Sequence, residues 1–460
     1  MASLPANLSY FMSRMQGVSS SHFKIFPQSS DNATAGKIIR FEIPSNAYVN
    51  MQDLRLFFNA STTGTCARLP DNISSLIERV AVYAGGVLIQ NNFNGYNTLV
   101  NAKAALGVGN CDPVLGHPEI VRATSYHSGA AIASTDAESY TSQDQAFCIS
   151  NWEGLLGSIE PKIIDTGLLP QITIEITLAD NNVCTTSAGT SLAGTATSGF
   201  NLAPSSTAVT YALTNITLQC EVMGFSTSIL DQIVEQRISS VGYLSLPFKN
   251  YYAFQSTHTS NTRFNVNSAS WDRVWFCYRD VGYTGPGKPH PVKGYKQKGA
   301  FVSVAAADAT STNYDIGKPT YDVGGVLNTN AEKYVSPYFR FNKASGSNTT
   351  YQLQINGASV PAYKMTLPEA YAVTMKSIDH YNKDHKLTLD QYTDSAFVQC
   401  YRFCLEGSDF NRMASGLDVR STSAMATLET TNLDSCALTI FAECLSELRV
   451  GNSRNIEVIN

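Results

Sequence analysis

Apolar and polar residues alternate with a period of two along most of this chain, and that pattern predicts strands. In the first half it runs through 37–44 (KIIRFEIP), 53–61 (DLRLFFNAS), 76–93, 170–180 (PQITIEITLAD) and 210–225 (TYALTNITLQCEVMGF). Gly85-Gly86, between two apolar runs, reads as a two-residue hairpin turn that needs φ > 0 at both positions. The second half repeats the texture at 242–256, 263–280, 336–345, 351–360, 395–407, 423–432 and 436–450. The stretch 184–201, CTTSAGTSLAGTATSGFN, is too poor in large apolar residues for a core and is expected to be a long surface loop.

Helical spacing is rare. It occurs at 226–240, where Ser228 precedes Asp231 in a box-like N-terminus, at 367–381 with Pro368 in its first turn, and at 94–107, which ends on a Gly cap. In each half a hairpin (76–93, then 336–360) leads into a short helix (94–107, then 367–381). Each half also closes on a strand with Ala-Leu-Thr, at Ala212-Leu213-Thr214 and Ala437-Leu438-Thr439, followed by Cys220 or Cys444. The repeat predicts two similar all-β domains, 1–225 and 241–460, joined by a linker helix at 226–240.

Composition narrows the class. Only 15% of the 460 residues are charged and the formal net charge is −5, while 43% are hydrophobic. Neither disorder nor long salt-bridged helices fit that palette, since the first needs low hydrophobicity and the second needs Glu, Lys and Arg. A sequence pI near 5.8 argues against a nucleic-acid site built on bulk positive charge. No apolar run reaches the roughly 18–20 residues of a membrane span, and MASLPANLSYFMSRM predicts no secretory signal. The sequons at Asn7, Asn32, Asn59, Asn72, Asn215 and Asn348 mean little without such a route.

Candidate chemistry fails at each motif. Ten cysteines (66, 111, 148, 184, 220, 277, 400, 404, 436, 444) include no CxxC clip. On a strand Cys400/Cys404 or Cys436/Cys444 would lie roughly 13 Å or more apart, so buried free thiols are expected. Gly282–Lys288 matches G-x4-G-K, but Pro289 stands where a phosphate loop needs a hydroxyl and a helix start, and Pro286 and Pro291 remove more donors. The basic run 288–298, with Lys288, Lys293, Lys296 and Lys298, reads as a solvated loop, contact with an acidic partner or packaged nucleic acid being the lesser alternative. The histidines (22, 117, 127, 258, 290, 380, 385) include no pair spaced for a cupin metal, and HExxH and GxSxG are absent. Trp271, Trp275, Phe276 and Tyr278 read as core, with a sugar-stacking platform as the alternative. No catalytic, cofactor-binding or metal-ligating set emerges, and no enzyme is expected.

Three stretches carry a family resemblance. HFKIFPQSS (22–30) with GKIIRFEIPSNAYVNMQDLRLFFN (36–59), LIERVAVYAGGVLIQ (76–90) and DTGLLPQITIEITLAD (165–180) resemble the first jelly roll of double jelly-roll major capsid proteins of eukaryotic double-stranded DNA viruses, the polinton-like virus, virophage and nucleocytoplasmic large DNA virus lineage. The chain lacks the aromatic- and Pro-rich N-terminal segment usual in large-virus members. The resemblance implies two tandem eight-stranded jelly-roll β-sandwiches with a few short inserted helices. It implies a self-partnering protein, three copies giving six barrels in a pseudo-hexagonal capsomer, with 184–201 and 284–330 as tower loops. Penton and minor capsid proteins are the further partners implied, in a virion assembled in the host cytoplasm or nucleus, with no cofactor. The competing readings are a tandem β-sandwich glycan-binding module and a metal-dependent β-barrel enzyme.

Overall fold

The computed structural model describes residues 18–63, 67–70, 72–90, 93–108, 145–186, 210–225, 229–257, 260–280, 301–302, 314–315, 339, 341, 348–378, 387–389, 392–393, 396–404, 416–420, 424–431, 436–451 and 454–460. Eight principal strands build the first half: β1 (Val18–Ile25), β2 (Ile38–Glu42), β3 (Tyr48–Thr63), β4 (Ile77–Ala84), β5 (Val87–Leu88), β6 (Ile163–Asp165), β7 (Ile172–Leu178) and β8 (Thr210–Phe225). Eight more build the second: β9 (Tyr243–Thr257), β10 (Asn261–Val266), β11 (Trp271–Asp280), β12 (Thr350–Ile355), β13 (Ala358–Met365), β14 (Val398–Arg402), β15 (Ala424–Thr431) and β16 (Cys436–Gly451).

The first half forms sheets β1-β8-β3-β6 and β2-β7-β4-β5, and the second forms β9-β16-β11-β14 and β10-β15-β12-β13. Strand n of one barrel takes the sheet position of strand n + 8 in the other. In each barrel the last strand runs antiparallel between the first and the third. That is jelly-roll topology, found twice. Short strands lengthen the sheets: Ala33–Thr34 on β8, Gln145–Ile149 on β3, Phe93–Asn94 on β4 and Ile456–Ile459 on β16.

Local chemistry explains the elements. Along β2 Ile39 and Phe41 are buried while Ile38, Arg40 and Glu42 face out, the pattern of a strand with one wet face. β8 and β16 are both 16 residues long. In β8 a bulge at Asn215, with φ of 55°, restores the inward phase so that Leu213, Ile216, Leu218 and Cys220 all reach the core. The prolines inside strands, Pro247 in β9 and Pro361 in β13, lie on sheet-edge strands, where a missing N–H breaks no second ladder. Buried apolar side chains of both barrels form one continuous cluster.

Among the described residues four α-helices punctuate the strands: α1 (Tyr96–Ala105), α2 (Leu155–Ser158), α3 (Ile229–Val241) and α4 (Leu367–Ser377). α1 and α4 follow the hairpins, as the repeat predicts, and α3 joins the barrels. Thr366 caps α4, donating to Glu369 through its hydroxyl (2.8 Å) and backbone N–H (2.7 Å).

Some expectations change. The run 263–280 is two strands, β10 and β11, in opposite sheets, because the chain crosses the sandwich at 267–270. The second hairpin is not 336–360 but β12–β13, turning at Asn356-Gly357 with φ of 50° and 82°. Of 336–345 only Phe339 and Phe341 are described, the latter bridging to Ala396. The supposed surface loop 184–201 starts with buried Cys184 and a short pairing of Thr185–Thr186 with Ala67–Arg68; the rest lies outside the described residues. So do Ser228, the 282–298 region and every histidine but His22, while of 284–330 only Phe301–Val302 and Tyr314–Asp315, paired with each other, are described.

Gly85 and Gly86 take φ of 56° and 85° at the β4–β5 turn. A Cβ on Gly85 would stand 2.7 Å from Pro170 Cβ, whereas nothing lies within 4 Å of one on Gly86. Gly85→Val is therefore expected to cost about 1–3 kcal/mol in urea denaturation, and Gly86→Asn close to nothing, since Asn tolerates positive φ.

Candidate functional site

Buried charge gathers where the two barrels touch. The outer face of the β9-β16-β11-β14 sheet presents Lys249, Tyr251, Arg273, Trp275, Phe441 and Glu443, and the first barrel covers it with α1, α2 and the 150–154 segment. Contacts on both sides explain why α1 lacks a polar face: Tyr96, Asn97, Thr98, Leu99, Val100, Ala102 and Lys103 are all buried.

Glu443 is fully buried at the centre. Its Oε1 lies 3.1 Å from Lys249 Nζ and 3.2 Å from Arg273 Nη1, and its Oε2 accepts from Trp275 Nε1 at 3.2 Å. Burial alone would raise this carboxyl, but the fields of Lys249, Arg273 and Lys103 together with the indole bond outweigh it and hold the group well below the usual carboxylate range. Arg273 Nε also donates to Ser377 O at 3.4 Å, placing a cation at the C-terminus of α4.

Lys103 crosses the seam from α1. Only 2% exposed, its ammonium lies 2.5 Å from Glu153 Oε2 and 2.9 Å from the Tyr251 hydroxyl, and within 5.0 Å and 5.7 Å of the Tyr251 and Trp275 ring centroids. Glu153 is placed by its N–H donating to the Tyr96 hydroxyl, and the same segment is pinned by Trp152 Nε1 donating to Leu54 O at 2.7 Å. Two hydrogen bonds cover the open edge of β9: Lys249 N–H donates to Ser158 Oγ at 2.8 Å, and Glu160 N–H to Pro247 O at 3.0 Å. Gly95, at φ 73°, lets the start of α1 approach Gln255 and Phe441, which a Cβ would meet at 3.3 and 3.5 Å.

Asp272 is the extra residue of a β-bulge beside this cluster. Burial, with a smaller push from Glu443, raises its carboxyl to about 7 against the bond from Ser270 Oγ at 2.8 Å.

The matching face of the first barrel, on β1-β8-β3-β6, is half-open. His22, Asn50, Gln52, Asp53, Arg55, Lys162 and Glu221 line a groove of about 470 Å³ there. Glu221 accepts from Ser20 Oγ at 2.6 Å and Asn50 Nδ2 at 2.9 Å, and these two bonds draw its carboxyl below the ordinary value.

Trp271, Trp275, Phe276 and Tyr278 are fully buried, so none of the four rings is available for a sugar to stack on. The eight cysteines among the described residues are free thiols; burial raises Cys184 and Cys444 to about 12. Among the described residues no group of three or more His, Cys, Asp or Glu could hold a metal ion, and no helix is long and apolar enough to cross a membrane. The seam itself was not legible: Lys103, Glu153, Lys249 and Glu443 stand far apart in sequence, each looking like a solvated charge.

Glu443→Gln removes the counter-charge of two buried cations and is expected to cost about 3–5 kcal/mol in urea denaturation at pH 7. Because the folded-state carboxyl is depressed, its contribution is present above the unfolded value near 4.5 and is lost as pH falls. Wild type should therefore lose more stability than Glu443→Gln on acidification below about pH 4.5. Asp272 has the opposite sign: raised to about 7, it contributes fully below 3.8 and loses that contribution as pH rises through 7. Asp272→Asn should gain on wild type between pH 4 and 8, read as the difference in urea midpoints.

No protein-family model matches the chain, and no curated protein matches it. Solved structures do match over nearly its whole length. The PBCV-1 virus capsid aligns with 97% of this chain and 98% of its own at 11% identity and a TM-score of 0.52. The Faustovirus major capsid protein covers 96% of this chain and 91% of its own, again at 11% identity and 0.52. PBCV-1 VP54 fitted into a reconstruction of the virophage Sputnik gives 0.51 at 11% identity, with 97% and 98% covered. At that identity the likeness is one of fold, and it agrees with the strand order: this chain is a double jelly roll.

Proposed function

We propose that this chain is a major capsid protein that assembles as pseudo-hexagonal homotrimeric capsomers into an icosahedral virus shell. The observation that carries the reading is the seam: one chain already packs two equivalent barrels side by side, helical side against outer sheet face, and leaves the corresponding face of the first barrel half-open. A second copy presenting its second barrel to that face makes a heterologous contact, and such contacts close into a ring of three when each copy is rotated by a third of a turn from the last. Three copies then supply six barrels, so a threefold object has a nearly sixfold rim. The likeness in fold to viral capsid proteins supports the same reading. The loops 184–201 and 284–330 are the tower candidates, penton and minor capsid proteins the further partners, and the domain limits 1–225, 226–240 and 241–460 the units of the repeat.

The half-open face suits this role. Along β8 and β3 its half-buried positions include the neutral Thr217, Gln219, Met223, Asn50, Gln52 and Phe57 beside the charged Glu221, Asp53 and Arg55. Neutral side chains lose less solvation than ions when a large interface forms.

Light scattering should give about 150 kDa, three copies of the 49.9 kDa chain, and electron microscopy of assembled material should show pseudo-hexagonal particles. Gln219→Arg places a charge on the half-open face and is expected to return the mass to that of one chain with an unchanged far-UV spectrum. A wild-type monomer at all concentrations would refute the capsid reading, while a trimeric Gln219→Arg would refute only the choice of face.

A further inference from the structure

The interior of the second barrel contains four polar side chains that an apolar sandwich core has no use for. Tyr278 on β11, Tyr351 on β12, and Gln399 and Tyr401 on β14 are each at most 2% exposed. Register brings them together. Gln399 and Tyr401, two apart, share a face of β14; Phe276 lies opposite Gln399, and Tyr278 is two further along β11 on the same face. Tyr351 comes from the opposing sheet, its ring 6.4 Å from Tyr278, and Tyr401 packs edge-on to Phe276 at 5.7 Å.

One bond is made inside this group: the Tyr278 hydroxyl donates to Gln399 Oε1 at 2.9 Å. Gln399 Nε2, Tyr351 Oη and Tyr401 Oη have no hydrogen-bond partner among the described residues. Turning the amide over only exchanges which Gln399 atom is left over. Three orphaned polar atoms in one core are far more than a native interior leaves without a partner, because each forfeits its hydration for nothing.

Their chemistry selects what answers them. Burial raises the phenols of Tyr278, Tyr351 and Tyr401 far above neutrality, so they stay uncharged, and no carboxylate or imidazole stands among the four. A cation would find no counter-charge and an anion no cation. An apolar guest would leave the orphans as they are. A small neutral molecule that both donates and accepts suits the chemistry of each of the three. We propose that the second barrel encloses at least one ordered water, which accepts from Gln399 Nε2 and bonds the Tyr351 and Tyr401 hydroxyls.

Tyr351→Phe and Tyr401→Phe each delete a single oxygen without opening a cavity, and the sign of their effect decides the matter. With a water in place, each change strands one of the water's bonds, and the unfolding equilibrium constant should rise about three- to tenfold in urea denaturation. The double variant should cost less than the sum of the two, as expected for partners on one shared molecule. Water-oxygen magnetic relaxation dispersion should detect a long-lived internal water in wild type that is lost in the double variant. Without a water, each Phe relieves an unsatisfied hydroxyl, so both variants would be more stable than wild type and the relaxation signal would be unchanged. Either of those results overturns the proposal.

Discussion

A carboxylate sealed from water must be held by charge, and in this protein that requirement falls at the contact between the barrels. Glu443 has no exposure and takes its partners from neighbouring strands, Lys249 from β9 and Arg273 and Trp275 from β11. Apolar contact would hold two sandwiches together at many angles, because the hydrophobic effect has no direction. Ion pairs and cation–π contacts are directional. Lys103, reaching from α1 into the space between Glu153, Tyr251 and Trp275, fits only when the first barrel sits at one angle on the second. We read the cluster as a device for orientation more than for net stability, since buried ions regain little beyond their desolvation cost.

That placement changes what the low charge content means. A chain with 15% charged residues still commits Lys103, Glu153, Lys249, Arg273 and Glu443 to a single internal contact. Buried charge is therefore concentrated where relative position is set.

How much of this could be read from the residues depends on range. Local patterns were legible. The strand 210–225 coincides with β8, Gly85-Gly86 forms the turn its dipeptide demands, and the order hairpin-then-helix recurs in both halves. One error fell where two strands abut with no Gly or Pro between them. At 263–280 the Asn-Ser-Ala-Ser segment is a crossing from one sheet to the other, and its flanks look like one strand because both carry apolar residues that reach a core. The turn at Asn356-Gly357 carries the strongest short hairpin signal, yet an apolar run on each side absorbed it into a single strand. The seam was illegible for another reason: Lys103 and Glu443 are 340 positions apart, and nothing in a helix such as YNTLVNAKAA marks its lysine as buried.

The strand order also sets a schedule for synthesis. In each barrel the strand that lies between the first and the third is the last to be made, β8 in one and β16 in the other. A nascent chain that has emerged through β7 therefore holds β1 with no neighbour to pair with, and the seam must wait for β16, which brings Glu443. The first barrel's face is complete only with Phe225, about halfway along the chain, and the second barrel's only with Gly451. A truncated product lacks the central strand that closes the second barrel and cannot present the finished face to another copy, so the topology itself keeps incomplete chains out of an assembly.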